Sequence, residues 1–220
     1  MFLLYLIINI ILIINIICIN LDLDSNININ DYNLNKSDRY LILHIQKLGF
    51  ANRMRVLADM NLIASMTNRI LLFSWEPTAD CYIEFSEIFD ELPRNVKLLP
   101  FIPHGKEGLL LIKALAYRKS LSFIDLDHEG FLISGDNLYS DINIAYTHYN
   151  GVVALEGVSC KLYMYQRSLF YQSLKPIHDI NDIVKNIMNS YFDKHIMIGV
   201  HFRQHDLSYD WNVVPPPRHY

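Results

Sequence analysis

Two short groups of side chains in this 220-residue sequence have the types and spacing to handle a phosphate. The first is His201-Phe202-Arg203-Gln204-His205-Asp206, which follows the unbroken apolar run Ile196-Met197-Ile198-Gly199-Val200. Side chains alternate faces along a strand, so His201 and Arg203 share one face and Asp206 follows in the loop. A guanidinium with an imidazole beside it and a carboxylate to orient it makes a compact cationic site. The same three groups also suit a strand-end Arg–Asp ion pair with a satisfied histidine.

The second group is Gly49-Phe50-Ala51-Asn52-Arg53-Met54-Arg55. Gly49 permits a tight turn, and the amides that open a helix favour an anion. Asn52 can cap that helix, while Arg53 and Arg55 can reach a phosphate or a sugar. The competing reading is a plain turn with surface arginines, and Arg55 with Asp59 has the spacing of an ordinary surface pair. A single glycine is much weaker evidence than a full dinucleotide fingerprint.

These groups need elements to hold them. Tyr40 to Ile45 reads as a strand, the Gly49 segment opens a helix to about Thr67, and Ile70 to Trp75 supplies a second, parallel strand. Strand, glycine turn, helix and strand are the start of a Rossmann-like α/β unit. Val56 to Met66 is apolar on nearly every side, as in a helix covered by other elements. Asp179 is expected to cap an amphipathic helix with Ile180, Ile183, Val184, Ile187 and Tyr191 on one face. That helix leads into the Ile196 strand, which reads as buried on both faces of a parallel sheet. Ligands bind beyond the carboxyl ends of such strands, so both cationic groups are expected to flank one cleft.

The middle of the chain is less legible. Phe85 to Leu92 and Gly108 to Tyr117 read as short helices, and Lys161 to Leu174 as a helix rich in Tyr and Phe. Val96 to Ile102, Phe131 to Ser134, Ile142 to Thr147 and Val152 to Leu155 read as strands. Asp125-Leu126-Asp127-His128-Glu129 has metal-ligating residue types, but nothing outside it supplies matching ligands, and an exposed acidic turn is the favoured reading.

Composition bounds the function classes. An apolar fraction of 51% supplies a real core, and a net charge of -4 from 19 basic and 23 acidic residues excludes a general polyanion-binding surface. Cys18, Cys81 and Cys160 have no zinc-site spacing. Cys81 and Cys160 are either separate thiols or, in an oxidising lumen, a pair.

Residues 1–19 carry no charged side chain and are long enough to cross a bilayer as a helix, so they read as a signal anchor or signal peptide. Residues 20–38 form an Asn-rich tract expected to be a stalk, with an N-glycosylation sequon at Asn35-Lys36-Ser37. The folded body is expected over 39–212, with a Pro-rich end over 213–220. This organisation implies a body on the luminal side of the secretory pathway, membrane-anchored, or secreted if the first segment is cleaved.

Gly49-Phe50-Ala51-Asn52-Arg53, the Leu71-Leu72-Phe73-Ser74-Trp75 strand, the spaced Cys81, Phe85 and Phe89, and His201 to Asp206 together resemble the fucosyltransferase superfamily. The resemblance runs from about residue 40 to 212 and covers only the N-terminal half of a typical member. It implies a GT-B glycosyltransferase, in which two Rossmann-like domains hold the donor GDP-fucose between them and fucose passes with inversion to a glycan or protein hydroxyl. No catalytic metal or other cofactor is implied.

The family's first motif has the form H-x-R-R-x-D. His201, Arg203 and Asp206 match it, and Gln204 replaces the second arginine. The resemblance implies that Arg203 contacts the donor diphosphate, where a rigid guanidinium stabilises charge as the nucleotide departs. Gly49, Asn52, Arg53, His201 and Asp206 are the further candidate donor-binding residues. The sequence stops at Tyr220, and the second Rossmann-like domain of the family is expected to be missing through truncation. A non-catalytic remnant that binds a glycan or a partner protein is the alternative function.

Overall fold

The computed structural model describes residues 32–45, 48–100, 102, 106–126, 132–133, 138–149, 154–193 and 195. Two compact units divide at Ile177 and His178. The first is an α/β unit with a five-stranded, wholly parallel sheet. Its strands are β1 (Tyr40–Ile45), β2 (Ile70–Ser74), β4 (Val96–Leu98), β5 (Phe123–Asp125) and β7 (Ile144–Tyr149), in the order β4-β2-β1-β7-β5. Short strands β3 (Phe89–Glu91) and β9 (Lys175–Pro176) pair antiparallel, and β6 (Leu132–Ile133) pairs with β8 (Ala154–Leu155).

Period-two alternation builds two cores from one sheet. Leu41, Leu43 and Ile45 of β1, Leu71 and Phe73 of β2, and Ala145 of β7 pack under helices α1 (Phe50–Met66) and α3 (Cys160–Ser173). Tyr40, Ile42, Leu72, Ile144 and Tyr146 pack on the other face, beneath Leu111, Ile112 and Leu115 of α2 (Lys106–Lys119). A helix on each face explains why these strands read as continuous apolar runs.

From β1 the chain works outward through β2 to β4, then crosses with α2 to β5 and returns to set β7 beside β1. The direction of winding therefore reverses between β1 and β7. Because every strand is parallel, all five carboxyl ends share one edge, and a ligand crevice belongs at that edge.

The opposite, amino edge is closed by two arginines. Arg69, itself buried, donates to the carbonyls of Ile142 at 2.8 Å and Leu138 at 3.0 Å, and Arg39 donates to those of Leu138 at 2.9 Å and Ser140 at 2.7 Å. Burial lowers the Arg69 pKa to about 10, with Arg39 adding a smaller push in the same direction.

Several expectations change here. Phe85–Leu92 is not a helix: a 3-10 turn at Phe85–Glu87 gives way to strand β3, because the Phe89 segment finds a strand partner in β9. β5 was not expected at all, and it exists through its pairing with β7. Asp125 belongs to that strand, while residues 127–129 of the acidic group lie outside the described residues. Among the described residues, no group of three or more His, Cys, Asp or Glu is placed to hold a metal.

The expected stalk does not reach residue 38. Tyr32 and Leu34 are buried in the α2-side core, and Lys119 Nζ donates to the Tyr32 carbonyl at 2.8 Å. Cys81 is buried and Cys160 exposed, both as free thiols. No described helix is long and apolar enough to cross a membrane, and residues 1–19 lie outside the described residues.

In the second unit, α4 (His178–Ile187) continues into a π-helical turn at Met188–Phe192. Asp179 lies inside the first turn rather than capping it, and His178 Nδ1 stands 3.2 Å from Asp182 Oδ2. The Ile196–Val200 run and the 213–220 end lie outside the described residues.

Candidate functional site

The Gly49 turn lies where the sequence puts it, between the carboxyl end of β1 and the first turn of α1. Its physical basis differs. Gly49 is extended, with φ -63 and ψ 156, and a Cβ there would meet the Asp80 carbonyl at 3.7 Å, an ordinary contact. Neither backbone strain nor crowding requires glycine. What remains is the open approach it leaves to the main chain.

Gly49 is the N-cap of α1, and no side chain caps that helix. The expectation that Asn52 caps it fails. Asn52 lies within the first turn, where its own N–H and that of Arg53 turn back to the Gly49 carbonyl at 3.0 and 3.1 Å. Its side-chain oxygen instead accepts from Arg55 Nη2. The first turn carries no acidic residue, so the exposed Arg55 guanidinium and the helix dipole act together on whatever approaches this end.

Arg53 behaves otherwise. Its side chain is 0% exposed, with Nε donating to the Leu48 carbonyl at 2.6 Å, Nη1 to the Glu76 carbonyl at 2.5 Å and Nη2 to Thr78 Oγ1 at 2.7 Å. The guanidinium carbon also lies 5.0 Å from the centre of the Trp75 ring. Burial pushes the guanidinium pKa down, against the pull of Asp80 and Glu76. Arg53 thus ties the Gly49 turn to the loop that follows β2 and does not reach into solvent. The helical spacing 53, 56, 57, 60, 63 and 64 already put it on the buried stripe with Val56, Leu57, Met60, Ile63 and Ala64.

An aromatic wall stands beside this lock. Phe50 meets Trp75 edge to face at 6.0 Å, Trp75 meets Phe85 at 5.4 Å, and Trp75 Nε1 donates to the Ile83 carbonyl at 3.0 Å. Two hollows open off the wall. An apolar one of about 460 Å³ is lined by Phe50, Met54, Arg55, Phe89, Tyr171 and Leu174. A smaller one of about 240 Å³ lies beyond β2 and β4, where Trp75, Pro77, Phe85 and Leu98 line it together with Ser74 and Glu84.

Deeper in the same edge sit polar residues that the sequence reading passed over. His44 and Ser74 are buried register partners at the ends of β1 and β2, and His148 takes the adjacent register position on β7. Polar residues closing apolar strands were the available signal. Behind the site, Arg167 of α3 grips Asp59 of α1 through two contacts of 2.7 Å. The expected Arg55–Asp59 surface pair is therefore replaced by a buried one, with Asp59 only 1% exposed. Burial raises the Asp59 pKa against the lowering effect of Arg167, while the same hydrogen bond raises that of Arg167. The two short contacts, one to each carboxylate oxygen, are the bidentate form that an Arg–carboxylate pair takes.

Of the candidate residues, Gly49, Asn52 and Arg53 are brought together at the carboxyl edge. His201, Arg203 and Asp206 lie outside the described residues.

Fold and site define a Rossmann-like α/β unit with its ligand edge at the carboxyl ends of a parallel sheet. No protein-family model matches the chain, and no curated protein matches it. Among solved structures it is similar to the fucosyltransferase NodZ from Bradyrhizobium, at 14% identity and a TM-score of 0.42, over 70% of this chain and 57% of that one. The chain thus spans little more than half the length of that relative.

Proposed function

We propose that this protein is fucosyltransferase-like, binding GDP-fucose and passing fucose to a glycan or protein hydroxyl with inversion. The observation that carries the reading is the uncapped N-terminus of α1, delivered by the Gly49 turn to the carboxyl edge with Arg55 exposed beside it. That end of the helix favours an anion. The H-x-R-x-x-D pattern of His201, Arg203 and Asp206 supplies the second cationic group by resemblance.

In this reading the diphosphate lies against the Gly49 main chain, and Arg203 takes up the charge that builds as the nucleotide leaves. Arg53 is a positioning residue that fixes the turn, and Asp206 orients Arg203. The chemistry asks for no metal, since the developing charge is met by guanidinium groups and helix amides. The body is luminal, anchored by residues 1–19, in keeping with the exposed Asn35 of the sequon.

The test is release of GDP from GDP-fucose by the full chain, measured over a panel of glycan and glycopeptide acceptors. Acceptor-dependent release that Arg203→Ala abolishes is the expected result. Release unaffected by that substitution, or no release with any acceptor, overturns it.

A further inference from the structure

Of the asparagines in this sequence, only Asn35 has a serine or threonine two residues on, at Ser37. Lys36 lies between them, where a proline would block attachment of a sugar. By sequence this sequon falls in the expected stalk, yet the structure builds it into the folded body. Tyr32 and Leu34 before it are buried in the α2-side core, and Tyr40 after it is buried at the start of β1. Asn35, Lys36 and Ser37 are all exposed. The triplet is a solvent-facing loop held at both ends.

Its shape leaves the reactive nitrogen available. Lys36 and Ser37 form a turn, closed by the Asp38 N–H donating to the Asn35 carbonyl at 3.3 Å. Asparagine is favoured at the first position of such a turn. The Asn35 N–H donates to Tyr40 Oη at 2.8 Å, and Asn143 Nδ2 donates to the Lys36 carbonyl at 3.1 Å. These bonds use main-chain groups of the sequon and do not depend on its amide side chain. That side chain donates from Nδ2 to Asp38 Oδ2 at 3.4 Å, in the open. A side-chain amide carries two N–H donors, so a sugar on Nδ2 leaves one for Asp38 and attachment sacrifices no bond of the turn.

We propose that Asn35 carries an N-linked oligosaccharide. Asn35 Nδ2 forms a bond to C1 of the first sugar and gives up one proton to a base of the oligosaccharyltransferase. The bond from C1 to the diphosphate of a polyprenyl-diphosphate-linked oligosaccharide breaks, and the diphosphate leaves with that electron pair. The assignment rests on the luminal placement of the body in the reading above, because a secretory lumen supplies this donor and its transferase. In the nascent chain, residues 20–34 reach about 50 Å when extended, which carries Asn35 well beyond the headgroups of a bilayer that holds residues 1–19. In the folded protein the turn precedes β1, so the glycan stands at the amino edge. The six residues of β1, about 20 Å long, separate it from the carboxyl edge, which a bulky hydrated group at Asn35 leaves open.

Translation of the full chain into secretory microsomes tests the site, with two measurements: protection of the body from added protease, and its mass before and after peptide-N-glycosidase. A protected body with one glycan is expected, and the glycosidase should leave aspartate at position 35 in the peptide map. Asn35→Gln, Ser37→Ala and Lys36→Pro should each remove the glycan, whereas Ser37→Thr should retain it and Asn33→Gln should leave it untouched.

A glycan that persists in Asn35→Gln overturns the site. So does a protected body that carries none, and the luminal placement then stands alone. A body open to protease and without a glycan overturns the placement together with the site. The transferase reading fails separately, through absence of acceptor-dependent GDP release.

Discussion

Replacing Arg53 by methionine separates a positioning arginine from a ligand contact. The substitution keeps an unbranched stem of similar reach but removes donors from the Leu48 carbonyl, the Glu76 carbonyl and Thr78 Oγ1, all within 2.7 Å. Hydrogen bonds from a charged group are worth about 1.5–3 kcal/mol each, yet they do not add, and relieving the burial of the guanidinium offsets part of the loss. The cation–π contact with Trp75 contributes about 1 kcal/mol more. A net destabilisation of about 2–4 kcal/mol follows. With a urea slope of about 2 kcal/mol per M, the midpoint should fall by about 1–2 M. Arg53→Lys, a point charge with no fork, should fall between the two. The reasoning is refuted if Arg53→Met unfolds within about 0.5 M of the wild type while losing nucleotide affinity, because Arg53 would then be spent on ligand.

Three further outcomes follow from the same geometry. Gly49→Ala should leave stability within about 0.5 kcal/mol, since φ and the 3.7 Å contact are ordinary; if a diphosphate approaches the main chain there, GDP affinity should drop by about tenfold, and unchanged affinity would remove it from the turn. Arg167→Met should cost about 3–5 kcal/mol near pH 7.5 by stranding the Asp59 carboxylate. Burial raises the Asp59 pKa, so its protonated form favours the folded state; the deficit should shrink as pH falls through the carboxylate range and grow as it rises, and a pH-independent deficit in denaturant melts would contradict this. Cys81 and Cys160 as free thiols predict two alkylatable body cysteines after unfolding without reductant; one disulfide-linked species by mass would count against it.

The β1–α1–β2 unit was legible because its signals are local: an apolar run, a glycine, a helix period and a second run. Asn68 closes α1 in the left-handed region at φ 51, as the end signal at Asn68-Arg69 implied. The antiparallel β3 and the parallel β5 were not legible, since each is three residues long and defined by a partner far along the chain. The site misled in a different way. Arginine type suggested an exposed phosphate contact at Arg53, whereas helical position made it a buried strut. Asp59 was paired with its neighbour Arg55 by spacing, but α3 covers that side of α1 and brings Arg167, a partner no local rule could supply.

The central claim is that the carboxyl edge carries a GDP-fucose site completed by Arg203. Calorimetric titration of the full chain with GDP-fucose, and with ADP- and UDP-sugars for contrast, tests it most directly. The account predicts selective binding of GDP-fucose and a loss of about tenfold or more in Arg203→Ala, the order expected for one charge-assisted bidentate contact. Equal affinity for all three nucleotide sugars, or GDP-fucose affinity unchanged in Arg203→Ala, would contradict it.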